Sequence, residues 1–452
     1  MKRDRPLLST TQIIMLSFLV VILVGSVLLA LPISTKSGEP VGYLDALFTA
    51  TTSTCVTGLV TLPTVTTWSW FGQIVILLLI QIGGLGAITI FAGIMIALNK
   101  RFGLKESQLI QDAFNLNSLS GLAKFVKRVI LGTLIVEGIG AILYMFVFIP
   151  DYGARGIWIS IFNSVSAFCN AGIDIIAENS LVGYATNPLI NAVTETLIIL
   201  GGLGYIVWWD IVRVLKDWKQ LKWKCFQKLT LHSKIVLSIT AILVFGGAAL
   251  LLAFEYNNPL TIGNYSFFDK MQVALFQSVT TRTAGFATVA QENLTNPSTI
   301  LCLLLMFIGG SPAGTAGGIK TVTIVVLIAT AYTTIKNKNE VSLFNRDLTR
   351  QTVHKAVAVS GMSFCIMFVS TILLSLVTDA AALDILYETI SATATVGLTR
   401  NLTGILNAWG KIIIIFTMYL GRVGPISLAF MFKSRKETVN IVKNPTEEIS
   451  VG

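Results

Sequence analysis

Runs of about 20 or more mostly apolar residues recur along the whole chain, at about 12–33, 72–98, 125–149, 191–212, 231–255, 299–333, 354–377 and 408–432. A helix rising about 1.5 Å per residue needs about 20 residues to cross a bilayer core of about 30 Å. The pattern therefore predicts eight transmembrane helices and leaves no soluble domain over. The first run is too long for a cleaved leader, and no convincing small-residue cleavage site follows it, so it is expected to remain as a helix.

Between successive pairs of these helices lies a second, shorter element. YLDALFTATTSTCVTGLV ends in Gly58, GIWISIFNSVSAFCNAGID contains Gly172, FFDKMQVALFQSVTTRTAGFA contains Gly285, and LDILYETISATATVGLT contains Gly397. These glycines are 114, 113 and 112 residues apart, a period that marks an internal repeat. A second landmark follows each: Gly83 in QIGGLG, Gly201 in LGGLG, Gly309 in IGGSPAG and Gly421 in LGRVGP, at gaps of 25, 29, 24 and 24 residues. The expected fold is an all-α polytopic membrane protein of four helix–pore loop–helix repeats, with eight transmembrane helices, four re-entrant pore helices and pseudo-fourfold symmetry around one pore. The repeats divide at 1–100, 101–220, 221–340 and 341–452, the last carrying a cytoplasmic tail.

The short element cannot span. Residues 42–53 would cover only about 18 Å at about 1.5 Å per residue, so the segment must dip into the membrane and return. Non-helical backbone at that depth is tolerated only where it is buried in protein or lines water, which implies a central aqueous path. The negative ends of the re-entrant helices would favour a cation on that axis.

Composition sharpens the class. Apolar residues make up 54% of the sequence, charged residues 12%, and the mean hydropathy is +0.76. The net charge of +10 resides mostly in alternate connections. Lys2, Arg3 and Arg5 together with 99–128, 213–234, 336–355 and 433–443 hold 25 of the 33 Lys and Arg. The positive-inside rule then places both termini in the cytoplasm of a multi-pass protein of the cell membrane. The basic balance reports topology and anionic lipid, not nucleic acid. Five cysteines without close spacing argue against a disulfide framework or zinc site, and His232 and His354 lack the acidic or cysteine company of a metal site.

The loops align as TCVTGL (54–59), FCNAGI (168–173), TRTAGF (281–286) and TATVGL (393–398), sharing only the glycine. Variable side chains around a constant glycine suit a site made of backbone carbonyls, with one residue required at positive φ. The candidate ion-binding residues are Cys55, Val56, Thr57 and Gly58; Cys169, Asn170, Ala171 and Gly172; Arg282, Thr283, Ala284 and Gly285; and Ala394, Thr395, Val396 and Gly397. Four such loops can form carbonyl rings that replace a cation's hydration shell.

On these four glycines and the glycine-rich sixth segment, the chain resembles the membrane subunit of the bacterial Ktr system, within the Trk, Ktr and plant HKT superfamily of potassium transporters. The resemblance covers essentially the whole chain. It implies potassium uptake, with K+ at the filter as the transported ion; it admits Na+ as a second ion and no organic cofactor on this chain. Plant relatives carry a serine at the first filter glycine when they select sodium, so Gly58 implies potassium preference. The family further implies a homodimer seated on a cytosolic ring of nucleotide-binding RCK/KTN-type regulatory subunits.

The sixth apolar segment is interrupted by GGSPAGTAGGIKT (309–321), whose five glycines and Pro312 cannot continue a regular helix. It is not a nucleotide-binding loop, because Ile319 separates Gly318 from Lys320 and apolar runs flank it on both sides. It is either a break for close packing or a mobile loop below the filter. Only the third repeat has a long break, which favours a gate, and the resembling family carries its gating loop here. The gate candidates are Gly309, Gly310, Ser311, Pro312, Ala313, Gly314, Thr315, Ala316, Gly317, Gly318 and Lys320.

Cations at membrane depth are functional candidates. Arg422, in register with Gly84, Gly202 and Gly310, is the expected pore barrier; the alternative is a structural pair with a carboxylate. Lys320 is a weaker candidate, since it is able to snorkel to the interface. Arg282 is expected to brace its loop, with Asp269 or Glu388 as acidic partners, and Glu137 to make a structural hydrogen bond. Other glycine pairs in the helices read as packing. A secondary transporter of two inverted halves fits poorly with four parallel repeats, and no nucleophile, paired carboxylate or metalloprotease motif supports an enzyme.

Overall fold

The computed structural model describes residues 9–98, 103–114, 121–216, 225–338 and 340–424. The tail beyond 424, the basic residues at 2–5 and parts of the basic stretches at 99–128, 213–234 and 433–443 lie outside the described residues. Nearly all of the described regular structure is helical, apart from a two-stranded ribbon pairing Ser342–Leu343 with Arg346–Asp347.

Each repeat opens with a long apolar outer helix: Thr10–Leu29, Leu122–Tyr152, Leu231–Glu255 and Arg350–Ser375. All four are long and apolar enough to cross a membrane. Each is followed by a short helix, Tyr43–Thr54, Arg155–Cys169, Phe267–Thr280 or Ala382–Ala394. At 12 to 15 residues these reach only about halfway and are buried towards their C-terminal ends, as the re-entrant reading expects.

The inner helices begin alike. Ser69, Asn187, Thr295 and Asn407 stand at the N-caps of Trp70–Leu85, Pro188–Leu203, Asn296–Phe307 and Ala408–Val423. Such residues stop the chain from running on as one helix and satisfy first-turn N–H groups. The side chains of Ser69, Asn187 and Asn407 do so directly.

One expectation is corrected here. The segments 72–98 and 191–212 are not straight spans. Trp70–Leu85 and Ala87–Ala97 meet at 96°, and Pro188–Leu203 and Tyr205–Lys216 at 98°. The corners are Gly86 and Gly204, at φ 85° and 87°, and Gly424 closes the fourth inner helix at φ 92°. Each stands three residues after the second landmark glycine, where the third repeat has Pro312. Gly86 and Gly204 stand just outside the glycine pairs read as packing, and they are corners because only glycine holds this conformation without strain.

The repeats are tied to one another by buried or half-buried polar links. Trp158 Nε1 of the second repeat donates to Gln73 Oε1 of the first at 2.8 Å. Arg400 bonds Asp384 and reaches back to the Gln291 carbonyl and Thr299 hydroxyl of the third repeat. The Leu181 amide of the second repeat donates to the Ala287 carbonyl of the third at 3.0 Å, and Lys411 of the fourth repeat pairs with Asp45 of the first at 2.6 Å, which closes the circle.

Candidate functional site

The four loops that leave the re-entrant helices meet at one point. A Cβ placed on Gly58 would lie 2.5 Å from the Ala171 carbonyl oxygen; one on Gly172, 2.5 Å from that of Ala284; one on Gly285, 2.5 Å from that of Val396. A Cβ on Gly397 would strike the carbonyl oxygen of Thr57. Each glycine thus faces the carbonyl that precedes the next glycine, in the order first, second, third, fourth and back to first. All four have positive φ, at 99°, 62°, 84° and 97°. Glycine is required here twice over, by conformation and by contact.

The residue two places before each glycine is also left-handed: Val56 at φ 56°, Asn170 at 61°, Thr283 at 66° and Thr395 at 51°. Three of the four are β-branched, for which this region is strained by about 1–3 kcal/mol. The sequence gives no hint of this, because β-branched residues normally exclude the conformation. The alternation aims successive carbonyls inward. Among the described residues, none of the carbonyls of 56–58, 170–172, 283–285 and 395–397 accepts a protein hydrogen bond. The buried hydroxyls of Thr54, Thr57, Thr393 and Thr395 are likewise unpartnered. Buried carbonyls are nearly always paired, so such a concentration of orphans suits an ion or water on the axis.

Hydroxyls in the last turn of each re-entrant helix brace the loops, and sequence reading passed over them. Thr52 Oγ1 accepts from the Gly58 amide and Ser391 Oγ from the Gly397 amide, both at 3.0 Å. Ser166 Oγ donates to the Ile173 carbonyl at 2.5 Å and Thr280 Oγ1 to the Phe286 carbonyl at 2.6 Å. The available signal was a Ser or Thr six, six, five and six residues before the four glycines.

The second landmark glycines bring the inner helices against these loops. Side chains at Gly83, Gly201 and Gly421 would collide with the carbonyls of Thr54, Phe168 and Thr393, each four residues before a loop glycine. In the third repeat the interrupted segment folds back on itself: the Gly309 amide donates to the Ile319 carbonyl and the Thr321 amide to the Gly310 carbonyl.

The loop so formed touches the second, third and fourth repeats and is joined to the first through Arg422. Gly317 N donates to Thr283 Oγ1 at 3.2 Å, and a side chain there would strike Thr395. Thr315 donates through its amide to the Gly201 carbonyl and through its hydroxyl to that of Phe168. The Ser311 amide donates to the Gly202 carbonyl, and the Tyr205 amide to that of Ala313. Arg422 Nη1 donates to the Thr315 carbonyl at 2.5 Å while Nη2 donates to that of Gly83 at 2.5 Å, joining the loop to the fourth and first repeats. Lys320 Nζ donates to the Ala316 carbonyl at 2.6 Å and does not snorkel away. Both cations line a cavity of ≈ 260 Å³ with Gly83, Gly86 and Gly314. Arg422 is held by carbonyls, not by the carboxylate of the alternative reading.

One charge differs from expectation. Arg282 makes no ion pair among the described residues and donates only to the Gly309 carbonyl at 3.4 Å. The expected acids are occupied elsewhere: Asp269 takes the Ser266 hydroxyl at 2.7 Å, and Glu388 takes those of Thr399 and Thr403. Glu137 receives the Gln81 amide at 3.3 Å, a structural bond to a residue of another repeat. No group of three or more His, Cys, Asp or Glu side chains able to hold a metal occurs among the described residues.

Comparison with known proteins agrees with this architecture. The potassium/sodium uptake protein NtpJ of Enterococcus hirae is 38% identical over 458 residues, covering 100% of this chain and 99% of that one. The Ktr system potassium uptake protein B of Bacillus subtilis is 39% identical over 444 residues, covering 98% and 96%. The crystal structure of the potassium transporter TrkH from Vibrio parahaemolyticus superposes with a TM-score of 0.76 over 96% of this chain and 87% of that one, at 17% identity, a likeness of fold. The sequence pattern of the TrkH family, described as cation transport protein, matches residues 4–443. The chain belongs to the TrkH family of cation transport proteins.

Proposed function

We propose that this chain carries potassium into the cell through one pore per chain, with the four-glycine ring as selectivity filter and the 309–321 loop as gate. The observation that carries the reading is the closed cycle of glycine-to-carbonyl contacts around unpaired, buried carbonyls. Such oxygens replace the hydration shell of a cation, and no side-chain charge is needed to do it. The names of the relatives support potassium as cargo, and the one from Enterococcus hirae admits sodium beside it.

The loop touches filter residues of the second, third and fourth repeats and fills the space beneath the ring. Arg422 latches it by a charge-assisted bond to Thr315 while holding Gly83 with its other nitrogen, Lys320 ties the loop to itself at Ala316, and both set positive charge against an approaching cation. Opening requires the Thr315 bond to break. The latch is the natural point of action for a cytosolic nucleotide-binding subunit, with the transporter as a homodimer in the cell membrane and its termini in the cytoplasm.

The test is rubidium and potassium uptake in cells lacking their own potassium uptake, with Gly58→Ser against the unaltered chain at varied external sodium. The expected result is reduced potassium rescue with a shift towards sodium. Unchanged kinetics and selectivity in a variant that reaches the membrane would remove the filter reading.

A further inference from the structure

The four bracing hydroxyls are not equivalent. In a trans peptide the C=O and N–H point in opposite directions. By accepting the Gly58 amide, Thr52 turns the Thr57 carbonyl away from itself and into the ring; Ser391 does the same for Val396 through the Gly397 amide. Ser166 and Thr280 act two peptides later and with opposite polarity. They donate to the carbonyls of Ile173 and Phe286 and hold those oxygens against their own re-entrant helices. The matching carbonyls of the other two repeats, Leu59 and Leu398, have no partner among the described residues, although both residues are buried.

Resting on the filter reading above, we propose that these hydroxyls decide how many carbonyls each layer offers: four at the glycine ring, and two at the layer of Leu59, Ile173, Phe286 and Leu398, two peptides further out. The two uncommitted carbonyls belong to the first and fourth repeats, which are neighbours in the ring. An ion in the outer layer is therefore drawn to one side and keeps more of its water. Discrimination by dehydration is confined to the ring, where Thr52 and Ser391 are positioning residues. The outer layer binds weakly, which permits entry and release.

The experiment measures rubidium uptake KM and the potassium-to-sodium uptake ratio for Thr52→Val, Ser391→Ala, Ser166→Ala and Thr280→Val, with membrane abundance of each. Thr52→Val and Ser391→Ala are expected to lower the ratio at least fivefold, with Thr52→Ser and Ser391→Thr restoring it. Ser166→Ala and Thr280→Val release two outer carbonyls; they are expected to lower KM at least threefold with the ratio kept within twofold. If Thr52→Val fails to accumulate, Thr52→Cys tests the same bond, since a thiol accepts poorly. Four variants that behave alike, or that match the unaltered chain, overturn the proposal. If Gly58→Ser shifts selectivity while the hydroxyl variants do not, only this proposal falls; if Gly58→Ser is also silent, the filter reading falls with it.

Discussion

Arg422 offers the sharpest test of the latch. Its guanidinium donates to Thr315 of the loop and to Gly83 of the first repeat, each at 2.5 Å, and no carboxylate pairs with it among the described residues. A hydrogen bond from a charged donor contributes about 1.5–3 kcal/mol. Only the Thr315 bond must break for the loop to leave, so removing it biases the loop towards opening by about 1.5 kcal/mol or more. At about 1.4 kcal/mol per factor of ten, the open fraction rises about tenfold. Arg422→Gln is therefore expected to raise maximal rubidium uptake about tenfold while KM, set at the ring, stays within twofold. Arg422→Lys keeps the charge but cannot bridge both carbonyls. It should fall between the two if the fork matters, and match the unaltered chain if only charge matters. Equal maximal rates for Arg422→Gln and the unaltered chain, at equal membrane abundance, would refute the latch.

Two further expectations concern backbone and burial. Gly86→Ala meets only an ordinary contact with the Thr89 hydroxyl at 3.8 Å, so its cost is the strain of φ 85°, about 1–3 kcal/mol. Gly204→Ala adds a collision with the Pro312 carbonyl of the loop, so thermal unfolding in detergent should show the larger loss, and only this variant should change the maximal uptake rate. Glu388→Ala strips the acceptor from Thr399 and Thr403 at the edge of the fourth loop. It is expected to lower stability by about 1–3 kcal/mol, seen as a fall in Tm, whereas Glu388→Gln keeps an acceptor and should lose less.

The repeat and its four glycines were legible because each glycine answers two demands at once, left-handed backbone and contact with a neighbouring carbonyl. That leaves no substitute, so the residue recurs where its neighbours vary. The corners at Gly86 and Gly204 were missed because the apolar runs continue through QIGGLG and LGGLG without a break. Only the position of the last glycine, matched by Gly424, separates a corner from a contact. The interrupted third segment announced itself by five glycines and a proline. Pairings across repeats were beyond local reading: Gln81 meets Glu137 from 56 residues away. The acids offered for Arg282 were already bound by hydroxyls of their own neighbourhoods.

The loop beneath the ring draws its neighbours from three quarters of one polypeptide and reaches the first through Arg422. A channel assembled from four identical subunits could not hold such a segment, because a loop crossing the symmetry axis would meet three copies of itself there. Joining four diverged quarters in one chain removes that exclusion and allows a single plug. The same asymmetry means that a substitution at any ring position enters the ring once, against one neighbouring carbonyl, instead of four times.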